Sequence, residues 1–151
     1  MTKNQKRYHL VSHSSEETIR AGKKLAATLQ NGDLILLSGP LGAGKTTFIK
    51  GIAEELQINR DDVKSPSFTI ANEYPGRIPL FHLDLYRIDD VSELYQIGWD
   101  DFLRRDGVVV VEWGEKAQAY IPAKRIQVMI EIISETDRNL IVDFIEDELI
   151  N

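Results

Sequence analysis

The stretch LLSGPLGAGKTTFIK (residues 36–50) decides the fold. Its apolar lead-in, completed upstream as DLILLS (33–38), reads as a short buried strand. The strand runs into a glycine-punctuated turn, Gly39-Pro40-Leu41-Gly42-Ala43-Gly44, followed by Lys45, Thr46 and Thr47. This is the G-x-x-x-x-G-K-T spacing of a phosphate-binding loop, which carries weight only between a strand and a helix. A helix does follow: TTFIKGIAEELQI (46–58) sets Phe48, Ile49, Ile52, Ala53 and Leu56 along one face. In such a loop Gly39, Gly42 and Gly44 let backbone N–H groups turn inward, and the helix start adds a field that favours anions. Lys45 can then reach the β- and γ-phosphates, and the Thr46 hydroxyl can ligate Mg²⁺. Thr47 reads either as an α-phosphate contact or as simple helix-start packing.

The flanking chain supplies more of an α/β fold. Ser14 with Glu17 three residues on predicts a capping box, and apolar residues at 19, 25, 26 and 29 predict a helix to about Leu29. Asn31-Gly32 ends it. Downstream, SPSFTIANEY (65–74) is extended, because Pro66 holds Ser65 out of the helical region. Pro75-Gly76 makes a turn, and IPLFHLDLYRI (78–88) is the next strand. Asp89 or Asp90 caps a short helix with Val91, Leu94 and Tyr95, which Gly98 ends. VVVVEW (108–113) is an unalternating apolar strand, as expected where both faces of a parallel sheet are covered. RIQVMIEII (125–133) and RNLIVDFI (138–145) alternate as an antiparallel hairpin should. The expected fold is therefore α/β: three layers of the P-loop NTPase kind, with a mostly parallel central sheet and an antiparallel C-terminal hairpin.

At 151 residues the length predicts one domain. A hydrophobic fraction of 42% and a charged fraction of 28% are those of an ordinary globular protein. No apolar run approaches the roughly 20 residues that span a bilayer, and MTKNQKRYHLVSHSSEE (1–17) lacks the apolar core of a signal peptide. A cytoplasmic protein with no membrane partner is the expectation. The chain has no cysteine, which excludes disulfides, thiolate catalysis and cysteine-bound zinc. His9, His13 and His82 show no ligand spacing and read as ordinary histidines. With a formal charge of −6, and only small clusters at Lys3-Lys6-Arg7 and Lys23-Lys24, strong unaided binding to nucleic acid is not expected. The tail EDELIN (146–151) reads as a solvated end.

Magnesium needs a carboxylate as well, normally at the end of a neighbouring buried strand. There are two candidates. Glu112 ends the Val108–Val111 run, where a buried acid without function would be expensive. Asp84 ends LFHLD, with Leu83 and Leu85 on the opposite face. A structural ion pair is the alternative for each. We assign Glu112 to the metal and Asp84 to orienting the attacking water or acting from behind the metal site. Asn-Lys-x-Asp and Thr-Lys-x-Asp are absent, and no Asp-x-x-Gly follows a suitable strand, so ATP is favoured over GTP. A small-molecule kinase would want an acceptor pocket and an arginine-rich lid. Arg104-Arg105 is the one arginine pair, and it reads better as a solvated helix end.

GPLGAGKTTF, VKSPSFTIANEY, FHLDLYRI and VVVVEWGEK occur in the order and near the spacing of the TsaE family, and the likeness runs from about residue 14 to 145. The chain resembles that family of small bacterial ATPases, which serve the threonylcarbamoyladenosine modification of tRNA. The resemblance implies a Mg²⁺-dependent ATPase that acts with TsaD and TsaB and phosphorylates no small substrate; the acidic charge then fits a tRNA held chiefly by those partners. It implies catalytic roles for Lys45, Asp84 and Glu112, and metal ligation by Thr46 and Glu112. It implies nucleotide contacts along Gly39–Thr47, with Ser15 near the adenine and Arg138 in the late hairpin, where an ordinary exposed turn residue is the alternative for Arg138. Trp113 matches the tryptophan that follows the family's magnesium glutamate. Ser67 stands where the family usually has threonine, which keeps a hydroxyl and loses a methyl. A kinase, or an adaptor that binds nucleotide without useful hydrolysis, is the alternative. Tyr86 and Arg87, in HLDLYRI, suit a docking surface, or else merely cover the sheet's edge.

Overall fold

The computed structural model describes residues 6–66 and 71–146. Lys3, Ser67 and the acidic tail beyond Glu146 lie outside them. The strands are β1 (Lys6–Ser12), β2 (Leu34–Ser38), β3 (Ala71–Tyr74), β4 (Leu80–Asp84), β5 (Val108–Glu112), β6 (Arg125–Ile132) and β7 (Arg138–Ile145). They form one sheet in the order β1-β7-β6-β2-β5-β4-β3. The three inner pairings, β6–β2, β2–β5 and β5–β4, are parallel. The outer ones, β1–β7, β7–β6 and β4–β3, are antiparallel. The α/β class, the parallel centre and the C-terminal hairpin agree with the sequence reading.

Helices α1 (Ser15–Ala26) and α2 (Lys45–Glu55) cover one face, packing on Ile35, Leu37, Val108, Val110, Val128 and Leu140. Helices α3 (Ser92–Ile97) and α4 (Trp99–Arg104) cover part of the other, over Leu34, Phe81, Leu83, Val109 and Val111. Alternate residues of β5 thus enter different cores, and all five are buried. This is why the strand reads as an unbroken apolar run. Phe48, Ile49, Ile52, Ala53 and Leu56 form the buried stripe of α2 as predicted. Where α1 crosses α2 the backbones touch. A Cβ added at Gly51 would lie 2.0 Å from the Ile19 carbonyl oxygen, and one at Gly22 would lie 2.2 Å from that of Phe48.

Several elements differ from expectation. β1 reads in sequence as a basic lead-in, yet Tyr8 and Leu10 pack on the α1–α2 core while β7 supplies its ladder. α1 stops at Ala26, although Leu29 beyond it is buried. The Ser14 side chain caps the Glu17 amide as predicted, but the Glu17 carboxylate accepts from the His13 N–H at 2.8 Å, one residue earlier than a capping box requires. β4 ends at Asp84, not Ile88. There the Asp84 carboxylate accepts from the Tyr86 N–H at 2.9 Å and turns the chain, while Leu85 and Ile88 still reach the core. α3 ends at Gly98 as expected, with Asp90 accepting from the Ser92 amide. The sequence pattern marks neither α4 nor a 3-10 stretch, Gly114–Tyr120. Among the described residues no helix is long and apolar enough to cross a membrane.

Candidate functional site

Parallel pairing brings the predicted residues to one edge. Leu37 of β2 and Asp84 of β4 are both register partners of Glu112 on β5, so the loop leaving β2 rises beside both acids. Gly39 opens the loop against β6, where an added Cβ would meet the Ile130 carbonyl oxygen at 2.5 Å. Gly44 closes it at φ +103°, a left-handed conformation that suits glycine and starts α2 without a side-chain cap. The N–H groups of Gly44, Lys45, Thr46 and Thr47 make no hydrogen bond to a described residue. A helix start leaves such donors free to meet an anion. Leu41, at the loop's tip, is 97% exposed.

Lys45 folds back across this loop. Its Nζ donates to the Gly39 carbonyl at 2.8 Å and stands 3.3 Å from Glu112 Oε1. Glu112 is buried, and its other oxygen, Oε2, lies 2.7 Å from His82 Nε2. Burial pushes the Glu112 carboxyl up, but the contacts with His82 and then Lys45 outweigh it and hold the group below the ordinary glutamate value. Thr46 Oγ1 lies 2.9 Å from Ser65 Oγ, which brings the Ser65-Pro66 segment to the start of α2. Asp84 is half-buried beside Glu112.

Arg138 starts β7 and grips the loop from the opposite side to the acids. Its guanidinium donates to the carbonyls of Ala43 at 3.0 Å and Gly42 at 3.1 Å. The same group donates to Ser134 and Asp137 in its own hairpin turn. That turn is joined to the start of α1 by His13 Nδ1 and Asp137 Oδ1, 3.1 Å apart. Between them lies a cavity of about 310 Å³, whose walls include Ser15, Gly42, Ala43, Gly44, Thr47 and Glu135. Ser15 and Arg138, 123 positions apart in the chain, therefore face one space beside the loop.

Beyond Glu112, Trp113 takes a left-handed backbone at φ +62°, an outlier for a bulky residue. Its ring packs on Tyr86 with centroids 5.0 Å apart. Tyr86 is 59% exposed, and Arg87 is exposed beside it. The Arg104-Arg105 pair ends α4, and Arg105 lies on the Phe81 and Phe102 rings and pairs with Asp101 and Glu73. The residue that sequence reasoning missed is His82. A histidine inside LFHLD carries no motif, and only the β4–β5 register reveals that its ring reaches Glu112.

The donor set suits a nucleoside triphosphate with Mg²⁺: four backbone N–H groups without a partner among the described residues, one ammonium, one hydroxyl and one ionised carboxylate. Among the described residues no three His, Asp or Glu side chains could together hold a metal ion. Mg²⁺ fits such a sparse site, since it keeps several waters and binds through one or two protein groups plus substrate phosphates.

Residues 12–140 match the family model of the threonylcarbamoyl adenosine biosynthesis protein TsaE. The chain is 44% identical over 126 residues to the tRNA threonylcarbamoyladenosine biosynthesis protein TsaE of Bacillus subtilis (strain 168), covering 83% of this chain and 78% of that protein. It is 34% identical over 132 residues to the protein of the same name from Treponema pallidum (strain Nichols), covering 87% and 97%. Its fold matches the crystal structure of Bacillus subtilis YdiB with a TM-score of 0.77 and 33% identity, over 95% of this chain and 89% of that one.

Proposed function

The chain belongs to the TsaE family of tRNA threonylcarbamoyladenosine biosynthesis, and on that premise we propose that it is a cytoplasmic, Mg²⁺-dependent P-loop ATPase acting on a TsaD–TsaB complex. The observation that carries the reading is the convergence of Lys45 and Glu112, 3.3 Å apart, under a loop whose helix start has four N–H groups without a partner among the described residues. The loop amides and Lys45 hold the phosphates. Thr46 and Glu112 hold Mg²⁺, which when bound neutralises charge on the phosphates. Asp84, at the end of the adjacent strand, accepts a hydrogen bond from the attacking water and orients it. The cavity flanked by Ser15 and Arg138 takes the nucleoside, with Arg138 holding the loop's carbonyls in place.

No acceptor site for a second small substrate is needed if hydrolysis resets a partner. A chain of charge −6 can serve a tRNA pathway when the partners hold the RNA. Tyr86, Arg87 and Trp113, exposed beside Asp84 and Glu112, form the docking surface through which the partners change the rate. Charge stabilisation supplied in trans is worth about 10³–10⁵ in related phosphate-loop enzymes, so the isolated chain is a slow ATPase. The test is phosphate release from labelled ATP, with and without Mg²⁺ and the TsaD–TsaB pair, followed by tRNA modification. Turnover should respond to the pair, and Arg87→Ala should weaken that response more than nucleotide binding. Identical rates with and without a demonstrated complex would refute partner gating, and a phosphorylated metabolite would favour a kinase.

A further inference from the structure

His82 is wholly buried on β4, two residues before Asp84 and on the same face of the sheet. Its register partner is Val110, so the ring reaches diagonally to Glu112, the next residue of β5 on that face. Nε2 lies 2.7 Å from Glu112 Oε2, while Nδ1 is buried without a hydrogen-bond partner among the described residues. Buried polar atoms without partners are uncommon, and an apolar side chain would fill this space without leaving one. What the imidazole supplies and an apolar residue cannot is the bond to Glu112. An ionised carboxylate only accepts, so Nε2 carries the hydrogen.

The two oxygens of Glu112 are thereby divided. Oε2 is tied inward to His82, and Oε1 is left facing Lys45 at 3.3 Å. We propose that His82 is the positioning residue of the site: it fixes the Glu112 carboxylate so that Oε1 is presented to Lys45 and to the divalent cation that accompanies the nucleotide. The proposal rests on the Mg²⁺–ATP reading of the site. Ligating groups generally depend on a partner behind them, and losing that partner costs about 10–100-fold in metal affinity or activity.

The experiment has two arms. In the first, the nucleotide-free protein labelled with ¹⁵N in its histidines is examined by NMR, with His82 identified by its loss in His82→Gln. The expected signal is a ring with hydrogen on Nε2, protected from exchange and displaced by Glu112→Gln. A ring without hydrogen on Nε2, or a signal indifferent to Glu112→Gln, would overturn the proposal. In the second, binding of a fluorescent ATP analogue is titrated in EDTA and in Mg²⁺. His82→Leu should reduce the Mg²⁺-dependent gain by about tenfold or more, well beyond any change in the affinity measured in EDTA. His82→Gln, whose amide nitrogen can replace Nε2, should restore most of that gain and guards against a leucine variant that fails to fold. An undiminished gain in His82→Leu, or a His82→Gln protein no better than His82→Leu, would overturn the positioning role alone. Absence of any Mg²⁺-dependent gain in the wild-type protein would overturn the reading of the site, and the proposal with it.

Discussion

Gly51→Ala sets two effects of opposite sign against each other at the crossing of α1 and α2. In an isolated helix the change is favourable by roughly 1 kcal/mol, because alanine is the better helix former. In this protein the new methyl would lie 2.0 Å from the Ile19 carbonyl oxygen, 2.8 Å from the Ile19 carbonyl carbon and 3.1 Å from the Gly22 Cα. The obstacle is backbone, with no flexible side chain to swing aside, so the helices must separate by more than about 1 Å to reach ordinary contact distances. That separation loosens Leu25 and Ala26 from Phe48 and Ile52, all of them at the centre of the larger core. Overpacking costs typically about 1–3 kcal/mol, occasionally more, and an immovable carbonyl puts this site at or beyond the upper end. We expect a net loss of about 2 kcal/mol, or about 4–8 °C in Tm at roughly 2–4 °C per kcal/mol for a chain of this size. Because α1 also carries Ser15, nucleotide affinity should fall with stability. Thermal unfolding followed by circular dichroism and calorimetry measures the first effect, and the ATP-analogue titration measures the second. A Gly51→Ala protein as stable as the wild type, or more so, would refute the backbone contact between the helices.

Three further outcomes follow from the site. Lys45→Ala should lower ATP turnover about 10²–10³-fold, the usual cost of one preorganised contact to developing charge; near-normal phosphate release from a folded variant would remove the loop assignment. Glu112→Gln should reduce Mg²⁺-dependent nucleotide affinity, whereas Asp84→Asn should spare binding more than hydrolysis, and the reverse order in paired binding and turnover assays would exchange the two roles. Since the folded protein holds the Glu112 carboxyl below its ordinary value, its ionisation stabilises the fold above about pH 4.3 and that contribution is lost as pH falls through the lower folded value. The stability gap between wild type and Glu112→Gln should therefore narrow under acid, and a constant gap in unfolding experiments from about pH 7 to about pH 3.5 would contradict the shift.

What could be read from the sequence was what the chain determines locally. The β2–loop–α2 unit is legible because a motif, a buried strand and a helical stripe adjoin. β5 is legible because both its faces are buried. β1 is not, because its ladder comes from a strand some 130 residues away and its exposed face carries Arg7, His9 and Val11. The end of β4 was misread because Leu85 and Ile88 go on reaching the core after Asp84 has turned the chain. α4 is six residues directly behind Gly98, too short for its spacing of Trp99, Phe102 and Leu103 to register as a helix. Lys45 and Glu112 were nameable from motif and burial, but their meeting depends on the parallel register of β2 and β5. His82 needed the diagonal reach from β4 to β5, which no sequence pattern encodes.

The grip of Arg138 on the Gly42 and Ala43 carbonyls, across 95 positions of chain, has a consequence for biosynthesis. During translation the glycine loop leaves the ribosome long before residues 134–138, and until those arrive the cavity beside the loop lacks the wall formed by Glu135, Thr136 and Arg138. The strand beside β7 is also the earliest, β1, paired through Arg7 and Asp143, 136 positions apart. On the proposed reading of the site, a nascent chain carrying the complete loop sequence still lacks part of the nucleoside cavity, and nucleotide retention would mark a chain whose early and late segments have met. A ribosome-bound series of increasing length should gain nucleotide binding in one late step, after the β6–β7 hairpin emerges.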